Sequence, residues 1–281
     1  MCCHPAVSSG QVHPAADVPI PQGPTRSAAH TLRSLLARPA FFTLTDGRFV
    51  PDEDARSWWT PGMLSGPLLG GLLARALDTA YGSPEFQFSR LTVDLFRNAP
   101  FEPIEITTEV VREGRRIRVT EAKVLTSIGV VARASAVQLR RGDQPPSPVP
   151  TRTPAWDAPD PTGITDPWFG FVPDGDHSRR GMWVHADRPL VAGEELTPFV
   201  RAALAADEGS PMAHRGESEL EFINADYTLT LSRDPVGEYI GLAAGGHVSE
   251  DGVAVGHATM HDVKGPIGFS MSIAVANVRT V

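Results

Sequence analysis

Residues 75–84 read RALDTAYGSP and residues 201–211 read RAALAADEGSP. Both stretches open on Arg, run through Ala-rich sequence that suits the end of a helix, and stop at Gly-Ser-Pro. The same order of elements surrounds each. SGPLLGGLLARALDTAYG (65–82) reads as a helix that Ser65 can cap, with Pro67 near the first turn and Gly82 at the end. LTPFVRAALAADEG (196–209) reads as a second, with Thr197 as cap and Pro198 at the first position. Strands with period-two patterning follow the first copy: FSRLTVDLFRNAP, IEITTEVVREG, RRIRVTEAKVLT and VVARASAVQLRR. The second copy is followed by LEFINADYTLTLSRDP, EYIGLAAGGHVS, GVAVGHATMHD and IGFSMSIAVANVR.

A repeat of this size is a statement about architecture. A single apolar helix cannot bury itself, and an antiparallel sheet can curl around it. Two such units can then pair their sheets edge to edge, which removes exposed edges. The expected fold class is therefore α+β, with two antiparallel sheets each wrapping a central helix. GDQPPSPVPTRTPAWDAPDPTG (142–163) is too rich in Pro for a helix or a central strand and reads as an extended linker. The expected organisation is a leader at 1–28, a first unit at 29–141, the linker at 142–163 and a second unit at 164–281.

The 281-residue chain is 41% hydrophobic and 21% charged, in keeping with a buried core, and its net charge of −8 argues against a nucleic-acid partner. No apolar run reaches the length of a membrane span, and no charged segment followed by an apolar one marks a secretory signal. No membrane association and a cytoplasmic location are expected. The two cysteines, Cys2 and Cys3, are adjacent, and the fold cannot depend on a disulfide framework. With His4 and His13 they lack the spacing of a structural zinc site. His257 and His261 lie four apart on a predicted strand without a clear third ligand. Neither a metal nor a cofactor is expected.

The motifs resemble those of the double-hotdog acyl-CoA thioesterases, the thioesterase II-like group common in actinobacteria, from about Phe41 to Val278. In the first half the resemblance rests on DGRFVP (46–51), GPLLGGLLARAL (66–77) and RLTVDLFRNAP (90–100). In the second it rests on LAAD (204–207), FINADYTLTLSR (222–233) and DVKGPIGFSMS (262–272). The resemblance implies a tandem hotdog fold and hydrolysis of acyl-CoA or a related acyl thioester, with a homodimer of such chains as a further expectation. It also implies a catalytic set: Asp at the helix end, Thr or Asn on the next strand, and Gln on the last strand. These columns fall on Asp207, Asn224 and Ser272. Aligning the copies on Gly-Ser-Pro puts Ala80 at the place of Asp207. Aligning Arg97 with Arg233, and Gly129 with Gly265, puts Phe88 at the place of Asn224 and Ala136 at that of Ser272. The first copy is apolar at all three.

In such a site Asp207 orients and deprotonates a water, Asn224 holds that water, and Ser272 donates to it or to the thioester carbonyl. The negative end of the helix dipole is expected to raise the basicity of Asp207. Asp226, two residues beyond Asn224, is an alternative carboxylate. Two positions depart from the family pattern. Ser272 stands where Gln is common, so that Ser272→Gln is expected to raise activity or leave it unchanged. Leu69 stands where the first helix often carries His. The shorter Ser272 keeps open a second reading, an acyl-thioester binding protein with weak or no catalysis. A serine hydrolase lacks its G-x-S-x-G elbow here. Asp207 and His214, seven apart, are spaced more widely than the Asp and His that hotdog hydratases pair.

Overall fold

The computed structural model describes residues 38–277, save 59, 148, 151–156, 177–178 and 217–219. The leader and Cys2 and Cys3 lie outside the described residues. The chain enters through a hairpin, β1 (Phe42–Thr45) and β2 (Arg48–Pro51), turned at Asp46-Gly47 with positive φ at both. The first helix, α1 (Gly66–Tyr81), follows, then β3 (Phe86–Leu95), β4 (Glu105–Arg112), β5 (Ile117–Thr126) and β6 (Gly129–Arg140). The described part of 142–163 contains neither helix nor strand. The second half opens on β7 (Trp168–Phe171) and β8 (Gly181–His185), two strands that the sequence patterning does not predict. It continues with α2 (Pro198–Ala206), α3 (Gly209–His214), β9 (Phe222–Asn224), β10 (Asp226–Leu231), β11 (Tyr239–Glu250), β12 (Val253–Asp262) and β13 (Gly265–Ala276).

The strands from both halves form one antiparallel sheet in the order β4-β5-β6-β3-β10-β13-β12-β11-β8-β7, with β9 also paired to β13. An offset of 136 residues carries β5 onto β12 and β6 onto β13 from end to end. The same offset carries the register break at Ser89 in the first copy onto Ala225, which separates β9 from β10. The halves join where β3 pairs β10, with Leu91 opposite Leu229 and Val93 opposite Tyr227. All four side chains are buried. Helix α1 packs on β4, β5 and β6, α2 on β10 and β11, and α3 on β11, β12 and β13. This is the tandem hotdog arrangement, two curled sheets joined at one seam around their helices.

Local chemistry explains the helix ends, with two corrections. Thr197 caps α2, its hydroxyl accepting from Val200 N at 3.3 Å, whereas Ser65 at the head of α1 makes no side-chain cap bond. The two Gly-Ser-Pro stretches also differ. Gly82 ends α1, but Gly209-Ser210-Pro211 opens α3. Proline is tolerated in a first helical turn, because the N–H it lacks has no partner there.

Helices α1 and α2 run antiparallel and touch at Gly71, while Gly70 meets Tyr227 of β10. A side chain at Gly70 would begin 1.9 Å from the Tyr227 hydroxyl, and one at Gly71 would begin 2.4 Å from Leu204 Cδ2. The Tyr227 hydroxyl donates to Ala203 O at 3.1 Å. Of the two glycines after Leu69, Gly71 is therefore needed for close helix approach, and Gly70 for the Tyr227 hydroxyl that bonds to α2. No helix among the described residues is long and apolar enough to cross a membrane.

Candidate active site

Asp207 follows the last residue of α2, and Asn224 ends β9. The bulge that separates β9 from β10 sets where Asn224 points: Ala225 N donates to Ile273 O, and the Asp226 carboxylate accepts from Ile273 N at 3.0 Å. Asn224 Nδ2 donates to Asp207 Oδ1 at 3.0 Å and to the Asp226 backbone oxygen at 3.3 Å. Two acceptors on one nitrogen fix which way the amide faces. They leave Asn224 Oδ1 as an acceptor directed away from both.

The other Asp207 oxygen, Oδ2, lies 3.6 Å from the point where a side chain at Gly66 would begin. Gly66 is the first residue of α1, so the carboxylate faces the N-terminus of the opposite half's helix. Pro67 has no N–H, and the first-turn N–H groups of Gly66 and Leu68 have no partner within the helix. Asp207 retains some contact with solvent at the edge of the site while sitting deep in the fold. Burial pushes its carboxyl up to about 6, and the Asn224 hydrogen bond works against that rise. The cause is desolvation, where the sequence pointed to the helix dipole. Glu208, which sequence reasoning missed, is pushed up to about 7 by burial first and then by the Asp207 charge beside it. Its signal was only its place next to Asp207. Two adjacent carboxyls with raised affinity for protons are a setting for general acid–base chemistry.

Ser272 does not join Asp207 and Asn224 by a hydrogen bond among the described residues. Its Oγ lies 3.1 Å from Nε2 of His214, the last residue of α3. Asn224 pairs with Ala274 in the β9–β13 ladder. Ser272, two residues along β13, therefore shares its sheet face, one register step away. Asp226 is engaged in the β9–β10 bulge. His257 lies against Gly245 and Gly246, and His261 is buried. No cluster of three or more metal-ligating side chains occurs among the described residues.

The first copy differs, but with one correction to the column at Asp207. Counted from the caps Ser65 and Thr197, the residue at the place of Asp207 is Arg75 and not Ala80. The Gly-Ser-Pro anchor fails because the second one opens a helix. Arg75 ion-pairs with Glu194. One turn on, Asp78 accepts from the Thr197 hydroxyl at 2.6 Å, so the nearest carboxylate on α1 is engaged by the α2 cap. The 136-residue strand offset keeps Phe88 at the place of Asn224 and Ala136 at that of Ser272, both buried. Phe88 stacks on Phe199 at 4.2 Å between ring centroids. A cavity of about 60 Å³ lies beside Asp78 and Thr197, and one of about 150 Å³ lies beside His247 and Ala213.

The model of the acyl-CoA thioesterase N-terminal domain matches residues 55–139, and that of the acyl-CoA thioesterase C-terminal domain matches residues 136–275. The chain belongs to the acyl-CoA thioesterase family. No curated protein sequence matches it. Among solved structures it is similar to the tesB protein of Mycobacterium avium subsp. paratuberculosis, with a TM-score of 0.60, 12% identity, and 90% of this chain and 100% of that one covered. It is similar to the acyl-CoA thioesterase II TesB2 of Mycobacterium marinum, with a TM-score of 0.58, 15% identity, and 76% and 91% covered. A conserved protein with a hot dog fold from Alicyclobacillus acidocaldarius gives 0.62 at 16% identity, with 85% and 96% covered. At these identities the solved structures speak for the fold. The thioesterase assignment rests on the two domain models, which together span both halves of the sheet.

Proposed function

We propose that this thioesterase hydrolyses acyl-CoA thioesters to free acid and CoA with a water activated by Asp207. The observation that carries the reading is the pair formed by Asp207 and Asn224 at the start of α1. Asn224 spends both amide hydrogens on Asp207 and the Asp226 backbone. Its Oδ1 can then accept from a water whose other hydrogen points at the carboxylate. Ionised Asp207 takes that proton as the water oxygen bonds to the thioester carbon. The charge that develops on the carbonyl oxygen is met by the N–H groups of Gly66 and Leu68 in the first turn of α1, which are fixed before the reaction begins. The carbon–sulfur bond breaks, the thiolate takes up a proton, and the acid product ionises.

The first copy lacks this arrangement. Arg75, paired with Glu194, stands at the place of Asp207, and the strand positions are Phe88 and Ala136. One working site per chain is the consequence. Release of free CoA thiol from a medium-chain acyl-CoA tests the reading, with wild type compared to Asp207→Asn. Loss of most turnover with retained acyl-CoA binding supports it. A wild-type chain that binds acyl-CoA and never releases thiol would instead be an acyl-thioester binding protein.

A further inference from the structure

A chain of hydrogen bonds leads away from Ser272. Ser272 Oγ lies 3.1 Å from His214 Nε2, His214 Nδ1 lies 3.0 Å from His247 Nδ1, and His247 Nε2 lies 2.9 Å from Ser249 Oγ. The inner end is buried, with Ser272 5% and His214 2% exposed, while His247 and Ser249 lie exposed on β11. The fold makes room for it. Gly256 pairs with Ser272 across the β12–β13 ladder, and a side chain there would begin 2.7 Å from His214 Cε1. The Phe222 ring packs against both imidazoles, at 6.1 and 5.3 Å between centroids.

Every group in this chain both donates and accepts. The protons can be ordered outward, from the Ser272 hydroxyl through both imidazoles to Ser249, or inward, from the Ser249 hydroxyl to Ser272. Each order satisfies all three bonds. A chain with two complementary orders passes a proton from one end to the other by shifting each hydrogen along its own bond.

We propose that Ser272, His214, His247 and Ser249 form a proton relay that connects solvent to the thioester site. The inference rests on the hydrolytic reading above, since Ser272 shares a sheet face with Asn224. When the carbon–sulfur bond breaks, the thiolate takes the Ser272 hydroxyl proton. Ser272 recovers one from His214 Nε2, His214 recovers one from His247 Nδ1, and His247 is refilled from solvent at the Ser249 end. The proton that Asp207 took from water and the proton of the acid product leave separately. One enters by the relay and two depart, which is the net single proton that thioester hydrolysis releases above the acid's pKa. Burial and the neighbouring His247 hold the His214 imidazole below the usual histidine range, so it rests neutral and ready to carry a proton. Ser272 is the catalytic residue of the relay, and the two histidines act through it.

The test compares wild type, Ser272→Ala and His247→Gln with a medium-chain acyl-CoA in H₂O and D₂O. His247 is exposed, so its substitution leaves folding intact. The expected result for His247→Gln is a fall in kcat of about tenfold at unchanged KM, a changed solvent isotope effect, and partial recovery with added imidazole. A purely structural histidine would give no imidazole recovery. A His247→Gln enzyme with wild-type kcat and isotope effect overturns the relay. A second measurement needs no turnover: ¹⁵N-histidine NMR of the free protein. Coupling between the two Nδ1 atoms, with both His214 nitrogens averaged between protonated and bare and shifted by His247→Gln, supports the relay. A single His214 tautomer indifferent to that substitution overturns it. Absence of wild-type turnover would count against the hydrolytic reading, and the NMR result would then decide whether the relay exists.

Discussion

Thr92 and Thr228 face each other across the seam of the two halves, their hydroxyl oxygens 3.0 Å apart. They are the same residue of the repeat, 136 positions apart, so the local two-fold of the sheet passes between them. Each half supplies the edge that the other lacks, with Asp226–Thr230 of β10 paired to Arg90–Asp94 of β3.

It follows that the halves hold together without a covalent link. With Leu91, Val93, Tyr227 and Leu229 buried at the seam, cleavage at a protease site introduced at 144–147, which is exposed, should leave the fragments associated. Size-exclusion chromatography under native conditions checks this, and two separately eluting fragments would refute the seam as the main contact.

The close contact between Gly70 and Tyr227 makes a sharp stability prediction. Gly70→Ala brings a methyl group to 1.9 Å from the Tyr227 hydroxyl, in a core where Tyr227 has no exposed surface. The expected cost is about 1–3 kcal/mol from overpacking, partly offset by the better helix propensity of Ala. Adding Tyr227→Phe removes the clashing oxygen and should recover part of the loss. Thermal unfolding of the single and double variants measures both.

At Asp207 activity and stability should move in opposite directions. Asp207→Asn keeps the shape, loses the base, and is expected to cost ~10²–10⁴-fold in turnover. The carboxyl is raised from 3.8 to about 6 in the folded chain. Its contribution to stability is therefore full below the unfolded value and lost as pH rises through about 6. Above pH 6 the wild type carries a desolvated charge that the variant lacks, and Asp207→Asn should melt higher there. Asp78→Asn, at the carboxylate that the α2 cap engages, should leave turnover unchanged.

The pH profile carries the same signature. Since the base must be ionised, kcat/KM should rise with pH through an inflection near 6. The Asn224 hydrogen bond lowers that value, so Asn224→Ala should move the inflection upward as well as reduce the rate, though by less than Asp207→Asn. An inflection indifferent to Asn224→Ala would separate the two residues functionally.

Ser272→Gln tests where the resemblance stops. From the sequence, a longer amide restores the family's pattern. In the fold, the space next to Ser272 holds His214, itself 2% exposed, and glutamine must displace it. The expected outcome is a lower melting temperature and lower turnover than Ser272→Ala, measured side by side.

The repeated helix-and-strand order, the proline linker and the alternating strands carry the tandem fold on local signals, because periodicity and turn residues act within a few positions. They also place Asp207 and Asn224 on elements that must meet, once the second helix lies inside its own sheet. Other features depend on contacts between distant residues. Gly-Ser-Pro ends one helix and opens another, so the local alignment that set Ala80 opposite Asp207 slipped, and only the caps Ser65 and Thr197 restore it to Arg75. Strands β7 and β8 carry weak patterning and exist because β11 offers β8 an edge and β8 in turn offers one to β7. Ser272 reads as a shortened partner of Asp207 in sequence. Its actual partner is His214, because α3 turns after Asp207 and Gly256 leaves room for an imidazole against β13. Those distances belong to the packing of three elements at once, and no stretch of the chain encodes them alone.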